Sequence, residues 1–199
     1  MTQSEYLHAI QSFSPVLDSI HNDQDTETMP EIPVSHYKSL SLPMKTRKSP
    51  KLTLVLDLDE TLIHTSISPI ENPDQMLSLQ FDNEYAQGYV KYRPFLFQFL
   101  KRAAQEFEVV LFTASNQAYA DQILSRIDPQ RELIRYRYYR QDCTLVKGMY
   151  VKDLSILGRD LSQVVIADNS ISAIACQLTN GVPISTWTYD ENDLSLIHI

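Results

Sequence analysis

Two aspartates stand two positions apart at the end of an apolar run, in LTLVLDLDETLIHTS from residue 52 to 66. Asp57 and Asp59 are predicted to face the same side, because side chains alternate between the two faces of a strand. Two carboxylates this close are costly unless a cation shares the site. Oxygen ligands favour a hard ion such as Mg²⁺, which binds carboxylate and phosphate oxygens together. Aspartate is also a nucleophile in phosphoryl transfer, so the stretch indicates phosphate chemistry.

Two later apolar runs also end in polar residues. EVVLFTAS ends in Thr113 and Ser115, and SQVVIADNS ends in Asp168 and Asn169. Ligands of parallel sheets bind at the carboxyl ends of the strands, so these residues are predicted to share one rim with the two aspartates. Asp and Ser are also common helix caps. Capping explains any one of these residues alone, but it does not explain several strand ends together.

The elements that position this rim alternate along the chain from residue 51 onward. The segments KLTLVLDL, EVVLFTAS and SQVVIADNS are typical of buried strands, and VPISTW is a fourth candidate. FLFQFLKRAAQEF after Pro94 and NQAYADQILSRI after a Ser115 or Asn116 cap have helical spacing. VKDLSILG is predicted to be a short helix that ends at Gly158. This alternation predicts an α/β fold, a parallel sheet flanked by helices.

The chain divides into two regions by composition. Residues 1–50 contain five prolines among polar residues, which predicts a flexible N-terminal tail. Residues 51–199 are predicted to form the folded domain. The basic stretch KTRKSPK near the boundary is interpreted as a solvated linker, with a nuclear-import or membrane-surface patch as the alternative.

Charge and composition exclude several classes of protein. The net charge of −8 argues against direct nucleic-acid binding, which depends on Lys and Arg. No apolar run reaches the roughly 20 residues of a membrane span, and the N-terminus lacks the pattern of a secretory signal. Two cysteines, Cys143 and Cys176, do not make a disulfide framework. We therefore expect an intracellular protein, nuclear or cytoplasmic, whose oligomeric state the sequence leaves open.

Four segments together carry a resemblance to a known family. DLDET (57–61), FTAS (112–115), YVKDLSILGRDL (150–161) and VVIADNS (164–170) resemble the ordered motifs of the haloacid dehalogenase superfamily. They are most similar to the small phosphatases that act on the C-terminal domain of RNA polymerase II. The resemblance runs from residue 52 to about residue 190. It implies a Rossmann-like, haloacid-dehalogenase-type fold and a Mg²⁺-dependent protein serine/threonine phosphatase with an aspartyl-phosphate intermediate.

The resemblance also implies a role for each matching residue. Asp57 would be the nucleophile, Asp59 the general acid and then the base, and Thr61 would orient their loop. Thr113 and Lys152 would hold the phosphate, although a surface position remains an alternative for Lys152. The implied Mg²⁺ ligands are Asp57, the backbone carbonyl of Asp59, Asp168 and Asn169. The hydroxyl of Ser115 could bind phosphate oxygens, and Arg140, in RELIRYRYYRQD, matches an arginine near the family's site. That segment could instead be an exposed edge strand.

The expected substrate follows from what the sequence lacks. The stretch between Thr65 and Gly88 has room only for a short β-hairpin insertion, so no large cap domain is expected over the site. An open site admits a peptide, which favours a phosphoprotein substrate. The sequence departs from the family's pattern at two places. The motif DNSIS lacks the proline that usually follows its first serine, and the family's closing C-terminal helix is expected to be truncated. The alternatives are a phosphatase for small metabolites and a non-catalytic binding module on the same fold.

Overall fold

The computed structural model describes residues 41–81 and 84–199. In chain order, the strands of these residues are β1 (Thr53–Leu56), β2 (Ile63–Ser66), β3 (Gln75–Phe81), β4 (Glu84–Tyr92), β5 (Glu108–Phe112), β6 (Tyr136–Tyr138), β7 (Thr144–Val146), β8 (Met149–Val151), β9 (Val164–Asp168) and β10 (Gly181–Pro183). The α-helices are α1 (Leu96–Glu106), α2 (Gln117–Ile127) and α3 (Ser195–His198). Short 3₁₀ turns occupy Arg140–Asp142, Leu154–Leu157, Leu161–Gln163 and Ile171–Asn180.

A five-stranded sheet in the order β10-β9-β1-β5-β6 forms the centre of the fold. Each neighbouring pair in it is parallel. Strand β1 lies in the middle, and Leu56 at its end pairs with Leu111 on one side and Ala167 on the other. The predicted parallel α/β sheet is therefore confirmed. The fourth strand predicted in VPISTW also forms, as β10, but only the beginning of that segment belongs to it.

Alternation along the central strands divides the core into two layers. Leu54 and Leu56 pack in one apolar cluster with Leu100 of α1 and Ile123 of α2. Val55, between them, packs in a second cluster with residues of the 3₁₀ turns on the opposite face. Strands covered on both faces must be apolar throughout, which explains the uninterrupted runs in the sequence.

The helix boundaries follow the predicted signals. Helix α1 begins shortly after Pro94, and α2 is capped by Asn116, whose side chain accepts a hydrogen bond from the Tyr119 N–H at 2.9 Å. VKDLSILG forms the 3₁₀ turn Leu154–Leu157 rather than an α-helix. Gly158 ends this turn with φ of 61°, a conformation that favours glycine.

The insertions near the rim are small β-structures. Between β1 and α1, a three-stranded antiparallel sheet has the order β2-β4-β3. Strands β7 and β8 form a separate antiparallel hairpin. Within residues 41–81 and 84–199 no further domain covers the central sheet, in line with the predicted short insertion in place of a large cap domain.

The predicted tail lies mostly outside the described residues, since the description begins at residue 41. Leu42 is buried, and its N–H donates to the Leu157 carbonyl at 3.1 Å. Lys45 Nζ donates to Thr53 Oγ1 at 2.9 Å. These residues therefore pack on the domain, while the proposed division at residue 51 stays a prediction.

Candidate active site

The carboxyl ends of three neighbouring strands meet at one edge of the central sheet. Asp57 follows β1, Thr113 follows β5, and Asp168 ends β9. Because β1 pairs in register with both neighbours, the three residues emerge side by side. Their exposed fractions are only 7%, 1% and 1%. The structure thus brings these predicted site residues together, and their chemical roles stay predictions.

A buried ammonium group lies between two of the acids. Lys152 Nζ donates to Asp57 Oδ1 at 2.5 Å and to Asp168 Oδ2 at 2.6 Å. Burial alone would lower the pKa of this lysine, but the charges of the two aspartates raise the pKa above its ordinary value. Lys152 does not begin a helix, because Asp153 caps the following turn by accepting from the Ser155 N–H. It follows β8 instead and remains charged inside the site.

Hydroxyl groups hold the second aspartate of the motif. Ser115 Oγ donates to Asp59 Oδ2 at 2.7 Å, and Tyr119 Oη donates to Asp59 Oδ1 at 2.5 Å. Thr65 Oγ1 is hydrogen-bonded to the same Tyr119 hydroxyl at 2.7 Å. Burial raises the pKa of Asp59 to about 6, with the Asp57 charge adding to it and the two hydroxyl hydrogen bonds opposing it. This carboxyl group can therefore gain or lose a proton near neutral pH.

The loop after β1 is fixed from two directions. Thr61 is fully buried, and its hydroxyl donates to Asn169 Oδ1 at 3.3 Å, while Asn169 Nδ2 donates to Thr186 Oγ1 at 3.1 Å. The Thr61 carbonyl accepts from Arg93 Nη1 at 3.0 Å. Arg93 is itself buried and donates from Nε and Nη2 to both carboxylate oxygens of Asp193, at 2.8 and 2.9 Å.

The loop after β5 carries the remaining predicted residues. Thr113 Oγ1 accepts from the Ser115 N–H at 3.0 Å. Arg140 binds the same loop, through its N–H to the Ser115 carbonyl at 3.0 Å and through Nε to the Ala114 carbonyl at 2.7 Å. Its guanidinium lies 5.2 Å from the centroid of the Tyr150 ring. Arg140 is thereby held between the loop after β5 and the Tyr150 ring.

The segment RELIRYRYYRQD differs from the alternating strand that its sequence predicts. Only Tyr136–Tyr138 forms strand β6, at the edge of the central sheet. Arg137 is 6% exposed at its side chain and donates from Nη2 to the Asp128 carbonyl at 3.1 Å. Arg140 is aimed by the 3₁₀ turn that it begins rather than by strand alternation.

The oxygen atoms around Asp57 suit a hard cation such as Mg²⁺. Across residues 41–81 and 84–199, Asp57 Oδ2 and the Asp59 carbonyl receive no hydrogen bond. Asp168 uses both carboxylate oxygens, toward Lys152 Nζ and the Ser170 N–H. In the described part of the chain, no three His, Cys, Asp or Glu side chains converge as a metal site. The set still fits Mg²⁺, which needs only one or two carboxylates beside carbonyl, water and phosphate oxygens.

Sequence reasoning did not single out Tyr119 or Arg93. Tyr119 lies in the first turn of α2, three residues after the Asn116 cap, so its place beside the strand ends could have been inferred from the cap. Arg93 offers no such signal, because its partner Asp193 lies 100 residues later in the chain.

Comparisons with known proteins identify similar phosphatases. A family model described as NLI interacting factor-like phosphatase matches residues 52–199. The chain is 47% identical over 159 residues to CTD small phosphatase-like protein 3 of Caenorhabditis elegans, covering 80% of this chain and 55% of that protein. It is 41% identical over 152 residues to the human carboxy-terminal domain RNA polymerase II polypeptide A small phosphatase 1, covering 76% of this chain and 58% of that protein. The chain thus spans little more than half the length of these two relatives.

The fold is also similar to a solved structure. The structure of Fcp1, an essential RNA polymerase II CTD phosphatase, superposes with a TM-score of 0.62 at 25% identity, covering 72% of this chain and 44% of Fcp1. The haloacid-dehalogenase-type fold expected from the sequence is thereby confirmed. Of the helices in residues 41–81 and 84–199, none combines the length and apolarity needed to cross a bilayer.

Proposed function

Since the chain belongs to the NLI interacting factor-like phosphatase family, we propose that it is a protein serine/threonine phosphatase. The observation that carries the proposal is the contact of the Asp57 carboxylate with the buried Lys152 ammonium, two residues from Asp59. One aspartate has an oxygen open to a reacting group, and the other has a pKa near neutrality. That pairing suits a nucleophile and a general acid–base group.

In the first step, Asp57 attacks the phosphorus of a phosphoserine. A bond forms between its carboxylate oxygen and phosphorus, and the bond between phosphorus and the serine oxygen breaks. Asp59, in its protonated form, gives its proton to the leaving serine oxygen. The Lys152 ammonium and the Thr113 hydroxyl supply positive charge and a hydrogen-bond donor for the phosphate oxygens, which is the main requirement of phosphoryl transfer.

In the second step, water hydrolyses the aspartyl-phosphate. Asp59, now ionised, takes a proton from the attacking water, a bond forms between the water oxygen and phosphorus, and the bond to Asp57 breaks. Inorganic phosphate leaves and the starting protonation of Asp59 is restored. Its two hydroxyl donors, Ser115 and Tyr119, hold the carboxylate where both proton transfers occur.

Mg²⁺ is the cofactor that this proposal includes. Asp57 and the Asp59 carbonyl would hold it, with Asp168 and Asn169 beside them. When bound, the ion would neutralise negative charge on the phosphate and help to orient it.

The small insertions beside the rim support a polypeptide substrate. They are the β2-β4-β3 sheet and the β7–β8 hairpin, and within residues 41–81 and 84–199 no larger domain covers the strand ends. The names of the relatives point to the C-terminal domain of RNA polymerase II, and we propose phosphoserine in that or a similar flexible segment. A polymerase substrate would require a nuclear location.

The test is hydrolysis of p-nitrophenyl phosphate and of a phosphoserine peptide, with and without Mg²⁺, by the wild type and Asp57→Asn. Mg²⁺-dependent turnover that disappears in Asp57→Asn supports the proposal. Glu71→Gln, on an exposed side chain, is the control and should keep full activity. A folded wild type that hydrolyses neither substrate, yet binds the peptide, would replace the proposal with a non-catalytic binding module. Preference for sugar phosphates over every phosphopeptide would indicate a small-metabolite phosphatase.

A further inference from the structure

The β7–β8 hairpin presents an apolar pair to solvent. Leu145 and Tyr150 stand opposite each other across the two strands. They are 60% and 38% exposed, whereas Val151, the next residue along, is fully buried. Because side chains of a hairpin alternate between its faces, the pair forms one continuous surface that the domain core does not use. We call it the Leu145–Tyr150 surface.

This surface adjoins the candidate active site. Tyr150 precedes Lys152 by two residues, and Lys152 contacts the candidate nucleophile. The ring of Tyr150 also lies under the guanidinium of Arg140, at 5.2 Å from carbon to centroid. Arg140 in turn binds the backbone carbonyls of Ala114 and Ser115. The surface therefore lies within reach of a polypeptide whose phosphate enters the crevice.

The charges around the surface suit an anionic peptide. Arg140 commits Nε to the Ala114 carbonyl, and within residues 41–81 and 84–199 its two terminal nitrogens have no hydrogen-bond partner. Lys147, in the turn of the same hairpin, is exposed. The whole chain carries a net charge of −8, so an acidic peptide is repelled by most of the molecule. The hairpin and the 3₁₀ turn before it together combine two cations, Lys147 and Arg140, with apolar area beside the site.

We propose that the Leu145–Tyr150 surface binds an apolar side chain of the phosphopeptide substrate, close in sequence to the phosphoserine. The inference rests on the proposed function and adds a specificity determinant to it. Two side chains offer far less area than the roughly 800 Å² per partner of a stable protein interface, so a second copy of the chain is a poor occupant. One apolar residue of a peptide that the catalytic site already holds needs no larger area.

The test uses peptides with one phosphoserine in a Gly/Ser background, in which a single leucine is moved residue by residue along the peptide. We expect the wild type to prefer leucine at one or two positions on one side of the phosphoserine. Leu145→Ser and Tyr150→Ser should lower kcat/KM for the preferred peptides about tenfold, equal to about 1.4 kcal/mol, chiefly through KM. Both variants should hydrolyse p-nitrophenyl phosphate as the wild type does. The matched control is Met44→Ser, because Met44 is 94% exposed and lies far from the site. Its neighbour Lys45 contacts Glu108 at the start of β5, and the site lies at the carboxyl ends of the same strands.

Several results would overturn the inference. A wild type without positional preference for leucine would do so, as would variants that keep the preference. Equal losses on the peptides and on p-nitrophenyl phosphate would indicate a merely structural role. If the wild type is inactive, binding of fluorescent peptides decides instead: a leucine preference that Leu145→Ser abolishes supports the surface even though the proposed function fails, and its absence rejects both.

Discussion

Replacing Asp193 by asparagine tests how the C-terminal segment supports the loop of the candidate active site. Asp193 neutralises Arg93, whose side chain is fully buried, through two hydrogen bonds of 2.8 and 2.9 Å. Asn has nearly the same volume but keeps only one acceptor oxygen, so Asp193→Asn removes the charge, one of the two hydrogen bonds from Arg93 and one of the two from Ser195. It leaves a buried arginine without an anion, which is far more costly than the loss of an exposed pair.

The expected loss of stability follows from the burial of the two partners. Breaking a buried ion pair by removing one partner costs about 3–5 kcal/mol. The Asp193 side chain is 13% exposed, so water can partly solvate the arginine, and we expect the lower end, about 3 kcal/mol. For a chain of this size each kcal/mol lowers Tm by about 2–4 °C, which predicts a decrease of roughly 6–12 °C.

Thermal unfolding followed by circular dichroism measures the decrease in Tm, and an exposed ion pair serves as the control. Arg102 and Glu106, one turn apart on α1, lie 3.5 Å apart with side chains 80% and 58% exposed. Glu106→Gln should therefore change stability by no more than about 0.5 kcal/mol. Because Arg93 also holds the Thr61 carbonyl, Asp193→Asn should lower kcat as well.

The pH dependence gives an independent check on the same pair. The hydrogen bond from Arg93 is the main reason that the pKa of Asp193 lies below its usual 3.8, with burial opposing. A depressed pKa stabilises the fold above the unfolded value and loses that contribution as pH falls through the folded value. The difference in Tm between wild type and Asp193→Asn should therefore be constant from about pH 5 to 8 and shrink below about pH 4. A loss equal to that of Glu106→Gln, or one independent of pH down to pH 3, would refute the reasoning.

Two further predictions concern the ion pair of Glu108 and the turn of the β7–β8 hairpin. Burial would raise the pKa of Glu108, but hydrogen bonds from Arg159 and Thr53 outweigh it and hold the pKa below 4.5. Glu108→Gln should therefore lower Tm at pH 7, and the difference from the wild type should fade as pH drops below about 4. A difference that persists in acid would contradict this. The turn between β7 and β8 has positive φ at Lys147 (49°) and Gly148 (81°), where Asn–Gly is preferred. Lys147→Asn should therefore raise stability by about 0.5–1 kcal/mol in urea unfolding, and a decrease would contradict the assignment of turn strain.

Much of the framework could be predicted from the sequence because its signals are local. Each apolar run long enough to be covered on both faces became a strand of the central sheet, and the polar residues that follow these runs arrived at one edge. That outcome needs only the parallel arrangement, since parallel strands end on the same side. Pro94, Asn116 and Gly158 marked element boundaries through their own backbone preferences. The motif order carried the family resemblance for the same reason, because each motif is contiguous in the chain.

The tertiary structure alone decided which side chains share a charge or a proton. Lys152 lies 95 residues from Asp57, and Tyr119 lies 60 residues from Asp59, so neither contact leaves a periodic or local trace. Arg137, in the segment that the sequence offered as an exposed edge strand, is buried, and its side chain donates to the Asp128 carbonyl. Propensity and periodicity are properties of neighbouring residues, whereas the pKa of a carboxyl group and the charge of a buried lysine depend on whatever the packed chain brings within a few ångströms. The sequence by itself therefore determined the α/β framework and the rim, and packing determined the electrostatics within it.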